Sequence, residues 1–125
     1  MTDIAKRFPG NPILKPADIK PSRSDLKVIC LLNPGAFLFE GKIWLILRVA
    51  ENAISKEGYY RYPVIDEREG IKLLDVPADH PDLNTTDARV HNYKGVDYLT
   101  TLSHLRLVCS TDGIHFYEPD GFEPL

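Results

Sequence analysis

Helical periodicity is absent from this sequence: no window repeats apolar residues at three- and four-residue spacing over the length an amphipathic helix needs. An all-α or α/β architecture is therefore excluded. Cysteine is scarce, with Cys30 and Cys109 alone in 125 residues. Both sit among apolar neighbours, which predicts two buried thiols rather than a disulfide framework or a zinc site. Charge of one sign is also missing, since 15 basic residues face 18 acidic ones for a net charge of -3. So balanced a surface has no cationic field for nucleic acid or anionic lipid, and neither is expected as a partner. The longest clean apolar run, 43–47, is far too short to span a bilayer, and the first eleven residues hold no apolar stretch of signal length. As written, the chain reads as cytoplasmic, although a removed signal would leave no trace. His80, His91, His104 and His115 lie 11, 13 and 11 positions apart, without the short spacings of a metal site. A nucleophile elbow, a GxGxxG and a P-loop are all lacking, so acyl transfer, nucleotide chemistry and an organic cofactor have no support.

What is present reads as all-β. Pro9, Gly10, Pro12, Pro16 and Pro21 keep residues 1–26 from forming a regular element and predict an extended arm. From Lys27 onward, short runs rich in branched and aromatic residues alternate with turn residues. They predict strands at 28–32, 36–39, 43–49, 59–65, 71–76, 89–91, 97–102, 105–110 and 114–118. Between Pro77 and Thr86 the composition turns to Pro, Asp, His, Asn and Thr, the mark of a surface connection.

The stretches on either side of that connection resemble one another. NPGAFLFEGKIWLIL from Asn33 aligns with DARVHNYKGVDYLTT from Asp87, matching Gly41 with Gly95, Trp44 with Tyr98 and Leu45 with Leu99. Each unit, 27–78 and 86–125, has room for four antiparallel strands, and the repeat is close to the roughly 50 residues of a kelch-type propeller blade. The alternative is two hairpins of one sandwich. Closed propellers need about four to eight blades, so two blades imply further blades or further copies of the chain to cover their edges.

Candidate chemistry follows the strands. Arg48 ends the most apolar one, IWLILRVA, where it either meets a hydroxyl-rich or anionic ligand in a channel or pairs with a carboxylate such as Glu51. Asp87 and Arg89 share a face; a guanidinium beside a carboxylate lowers its pKa, which favours an ion pair or substrate hydrogen bonding over acid catalysis. Asp112-Gly113 is a hairpin signal and marks Asp112 as structural. Trp44, Tyr93 and Tyr98 are candidate stacking faces for a sugar.

Taken in order, NPIL at Asn11, NPGA at Asn33 with Arg48 fifteen residues on, and SHLRLVCSTDGIHF from Ser103 to Phe116 resemble the N-terminal part of glycoside hydrolase family 130. The resemblance implies a five-bladed β-propeller acting on β-mannosides, by phosphorolysis or by inverting hydrolysis. It implies that Asn33, Arg48 and Arg106 hold the mannosyl unit of a mannose-containing oligosaccharide, with inorganic phosphate as co-substrate if the enzyme is a phosphorylase. The family's proton donor lies in an Asp-x-Arg-Val segment after the S-x-DG-x-x-F turn. The matching segment here, Asp87-Ala88-Arg89-Val90, precedes that turn, so Asp87 and Arg89 are read as substrate-binding. The donor is expected beyond Leu125 and the chain is expected to be incomplete and inactive alone. A carbohydrate-binding propeller without turnover is the alternative.

Overall fold

The computed structural model describes residues 4–125. They form three antiparallel sheets, with a 3-10 turn at Pro16–Asp18 as the one regular helical feature among them. The strands are β1 (Leu26–Phe39), β2 (Lys42–Ala53), β3 (Tyr59–Asp66), β4 (Gly70–Pro77), β5 (Leu83–Asn84), β6 (Val90–Tyr93), β7 (Val96–Leu99) and β8 (Thr101–Ser110). Among the described residues no helix is long and apolar enough to cross a membrane.

The hairpin β1–β2 turns through Glu40 and Gly41 (φ 48° and 73°), and β6–β7 turns through Lys94 and Gly95 (φ 51° and 81°). Two central residues with positive φ make the two-residue turn whose twist suits paired strands, and glycine adopts that conformation at no steric cost. The aligned glycines thus occupy the same kind of turn.

Beyond the turns the repeat diverges. The sheets are β1–β2–β8, β3–β4 and β5–β6–β7, so the described residues contain no sheet of four named strands. The longest strand of the second unit, β8, pairs along β2 from Ile43↔Ser110 to Asn52↔Thr101. The physical reason is burial. Strand β2 is apolar on both faces and needs a hydrogen-bonded neighbour on each side to keep its backbone out of water. The segments predicted at 36–39 and 28–32 are one strand, continued through bulges between Val28 and Cys30 and between Leu32 and Gly35. The strand predicted at 114–118 reduces to a single bridge, Tyr117 to Cys109. The chain then runs on along the free edge of β8 to the paired Leu105 and Leu125. Pro119 and Pro124 lack the amide hydrogens that would make this a continuous ladder.

One face of the first sheet is covered by the arm. Ile19, Leu47, Val49 and Val108 form its buried core, flanked by Leu14, Val28, Leu31, Leu45 and Phe116. The fixed φ of Pro16 sets the 3-10 turn that presses Ile19 onto the sheet, where burying a side chain of that size contributes roughly 1.5–3 kcal/mol. The other face is open: Leu32, Phe37, Ile46 and Leu105 remain 36 to 43% exposed. Of the two thiols, Cys109 is buried as expected but Cys30 is exposed. It follows the first bulge on an edge strand, where no element covers it.

Candidate functional site

The structure distributes the five candidate residues over three places. Asn33 lies in the second bulge of β1 with φ 40°, a left-handed conformation that asparagine tolerates better than most residues. It follows Leu32, the cross-strand partner of Arg48. Arg48 in turn opposes Leu105 on the other side, and Asn33 and Arg48 are both exposed on this part of the sheet. Among the described residues the Arg48 guanidinium forms no ion pair, and Glu51 is engaged elsewhere.

Arg106 occupies the opposite face, opposite Leu47, and is 8% exposed. Its Nη1 donates to the Lys20 carbonyl and to Glu118 Oε1 (3.0 Å), and its Nη2 lies 3.0 Å from His104 Nε2. The fully buried Glu51 continues this cluster, accepting from the Ser22 amide at 2.7 Å and the Ser22 hydroxyl at 2.5 Å, with His104 Nδ1 at 3.6 Å. Burial of His104 pushes its imidazole below the ordinary histidine value, against the pull of Glu51. The cluster fastens the arm and the 117–125 segment to the sheet, and every donor of Arg106 described here points to the protein itself.

Asp87 and Arg89 precede β6 in the third sheet. Asp87 Oδ1 accepts from the Arg89 amide at 2.8 Å and lies 3.8 Å from the Arg89 Nε, with the Arg89 side chain 89% exposed. The amide bond first, and the guanidinium charge after it, hold the Asp87 carboxyl below the usual aspartate value. At neutral pH it is a carboxylate, a hydrogen-bond acceptor rather than a proton donor.

The turn of the S-x-DG-x-x-F motif is structural. Asp112 accepts from the amides of Ile114 and His115 and from the Ser110 hydroxyl, each at 2.8 Å, and from His115 Nδ1. These bonds hold its carboxyl far below the usual range and deliver Phe116 to the core. Of the candidate stacking faces, Tyr98 is engaged with Tyr62 (5.5 Å between centroids) and Tyr93 meets His80 edge-on at 5.0 Å. Trp44 stacks on Phe37 at 6.3 Å beside Phe122.

Sequence reasoning missed Glu51 as an anchor and missed the pair Tyr62–His91, whose hydroxyl and Nδ1 lie 2.7 Å apart in the interior. The signal for Glu51 was a carboxylate at two-residue spacing from Leu47 and Val49, which places it on the core face of β2. For His91 it was an imidazole alternating with Val90 and Asn92 in a short strand, too weak a pattern to separate core from surface.

No family model matches the chain. A β-1,2-mannobiose phosphorylase of Listeria innocua serovar 6a is 33% identical over 116 residues, which cover 88% of this chain and 33% of the phosphorylase. The solved structure of β-1,2-mannobiose phosphorylase from Listeria innocua in complex with β-1,2-mannobiose superposes with a TM-score of 0.77 at 31% identity, covering 94% of this chain and 35% of that one. The chain therefore spans about a third of the length of the phosphorylase it matches. In sequence and in fold it is homologous to that enzyme, a member of glycoside hydrolase family 130, the family its motifs resemble.

Proposed function

We propose that the chain forms one part of an enzyme that cleaves β-mannosides with inversion, by phosphorolysis or by hydrolysis. The observation that carries this reading is the likeness to a mannobiose phosphorylase over 94% of the chain. In the proposal, β1, β2, β8 and the 117–125 segment make up one propeller blade, and the remaining blades, or further copies, close the site. Asn33 and Arg48 offer an amide and an uncommitted planar fork of donors to sugar hydroxyls on the open face. Asp87 and Arg89 offer an acceptor and a donor from the third sheet. Arg106 contributes indirectly, by holding the sheet and the arm together.

Inversion needs an acid over the leaving oxygen and a nucleophile on the opposite face of the sugar, either phosphate or a water activated by a second carboxylate. Asp87, ionised and exposed, is not the acid as it stands. The chain alone is therefore proposed to be inactive, with the donor supplied from outside it. Carbohydrate binding without turnover is the second reading, and the ionised state of Asp87 favours it. The test incubates the 125-residue chain, and a protein in which it is joined to the remaining blades, with β-1,2-mannobiose with and without phosphate. Mannose and mannose 1-phosphate are then assayed. Turnover is expected from the longer protein alone. A longer protein that folds and cleaves no β-mannoside would sink the enzymatic reading. Turnover by the short chain that disappears in Asp87→Asn would make Asp87 the donor.

A further inference from the structure

A cleft of about 480 Å³ opens where the end of β2, β3, β6 and the segment before β8 meet, with Asn52, Tyr60, Arg61, Tyr62, His91 and Thr100 in its walls. Its volume is in the range of small-molecule sites. His91 lies at its floor, only 5% exposed, with Nδ1 2.7 Å from the Tyr62 hydroxyl. Burial pushes the Tyr62 hydroxyl up and the His91 imidazole down, so both are neutral at neutral pH. With the Tyr62 hydroxyl as donor, Nδ1 accepts and the single imidazole proton sits on Nε2, the tautomer on which the site below is built. Among the described residues Nε2 has no partner, although no fully buried side-chain nitrogen or oxygen lacks one. Nε2 therefore keeps some access to solvent, on a residue that lines the cleft.

The surrounding groups define the ligand. The Tyr60 ring stands edge-on to the imidazole at 5.0 Å and keeps 39% of its surface open, an apolar face beside polar groups. Thr100 donates its hydroxyl proton to the Ala88 carbonyl at 3.1 Å, leaving the oxygen able to accept. Asn52 is hydrogen-bonded to Thr101 at 2.7 Å and so is held in place. The one cation in the wall, Arg61, is already committed to Asp75 (2.8 Å) and to the Ile54 carbonyl (3.1 Å). The charge acting on His91 is the Asp87 carboxylate. With Arg61 held by Asp75 and the Asp87 carboxylate accompanied by the Arg89 guanidinium at 3.8 Å, the cleft carries no surplus of positive charge and suits a neutral ligand rich in hydroxyls better than phosphate.

We propose that this cleft binds a neutral hexopyranosyl unit, with the His91 Nε2–H and the Thr100 hydroxyl bonding ring hydroxyls and Tyr60 covering the apolar face of the ring. The proposal deepens the mannoside reading and rests on it only for the choice of sugar. The site lies wholly within this chain, so binding is read without catalysis. Isotope-labelled chain is titrated separately with β-1,2-mannobiose, mannose and inorganic phosphate, following amide and histidine ring ¹⁵N–¹H signals. The free chain is expected to show the Nε2–H tautomer of His91. Mannobiose is expected to give saturable shifts centred on Tyr60, His91 and Thr100, and phosphate none there. Tyr60→Ala and Thr100→Val, both away from the packed core, are each expected to weaken binding by about tenfold with an unchanged circular dichroism spectrum. The proposal is overturned by an absence of saturable shifts, by shifts centred on the Arg48 face instead, by an equal response to phosphate, or by variants that bind as the parent does. A null titration alongside an active longer protein sinks this site and leaves the mannoside reading intact.

Discussion

The two faces of the first sheet are built from the same three strands yet differ in how their charges are met. On the arm side, Glu51 and Arg106 are buried and bonded to Ser22, Lys20 and Glu118. On the other side, Arg48 is exposed among Leu32, Ile46 and Leu105. A buried charge must find partners inside the protein or the fold loses several kcal/mol; an exposed one is free to meet a ligand. The covered face is thus where substitution should damage the fold, and the open face where it should damage binding.

The largest separation between the faces is expected from truncating their apolar residues. Leu47→Ala leaves a cavity in the core under the arm and is expected to cost about 2–5 kcal/mol. Leu105→Ala, on the open face, is expected to cost under about 1 kcal/mol in the isolated chain. Urea denaturation of both variants measures the contrast, and equal losses would mean that the open face is covered in solution.

Glu51→Ala comes next. It removes the acceptor of two Ser22 bonds and the anion beside His104, at a cost of about 1–3 kcal/mol. Limited proteolysis should then cut near residue 20 well before it does so in the parent chain. Protection of that segment in the variant would show that Ile19 packing alone holds the arm.

A smaller effect is expected from pH. Burial holds His91 and His104 below the ordinary histidine value of 6.5. The unfolded chain therefore takes up protons first as the pH falls. The stability they contribute is complete above about 6.5 and is lost below it, down to the folded-state values. The depressed carboxylates Asp66, Asp75, Asp87 and Asp112 act in the same direction in a separate window, below the ordinary aspartate value of 3.8. Thermal melts from pH 8 to pH 3 should show two successive declines. A stability that rises between pH 7 and 5 would contradict the neutral imidazoles.

The smallest stability effect is expected at Arg48. Arg48→Ala should change unfolding by no more than about 0.5 kcal/mol, while under the function proposed above it should lower kcat/KM for a β-mannoside by about tenfold or more in a protein that joins the chain to further blades. A large loss of stability instead would place Arg48 among the structural charges with Arg106.

The site was less legible than the fold because cross-strand neighbours are not neighbours in sequence. Asn33 and Arg48 come together through the register of β1 on β2. Arg106 resembles them in type and motif, yet a shift of one position in register puts it opposite Leu47 rather than Arg48, and so on the other face. His91 owes its place to Tyr62, 29 residues earlier, to which it is hydrogen-bonded.

The strand content, the turns at Gly41 and Gly95 and the motifs of a mannoside-active family were determined by sequence alone. Each rests on local rules: β-branched runs, the positive φ that glycine adopts freely, and proline rings that fix φ and remove backbone donors. Tertiary structure decided that β8 joins β2, that Cys30 lies outside, that Arg106 is an anchor, and that a cleft forms over His91. These depend on which apolar faces find one another and which polar groups find partners, a competition among residues far apart in the chain that no local pattern records.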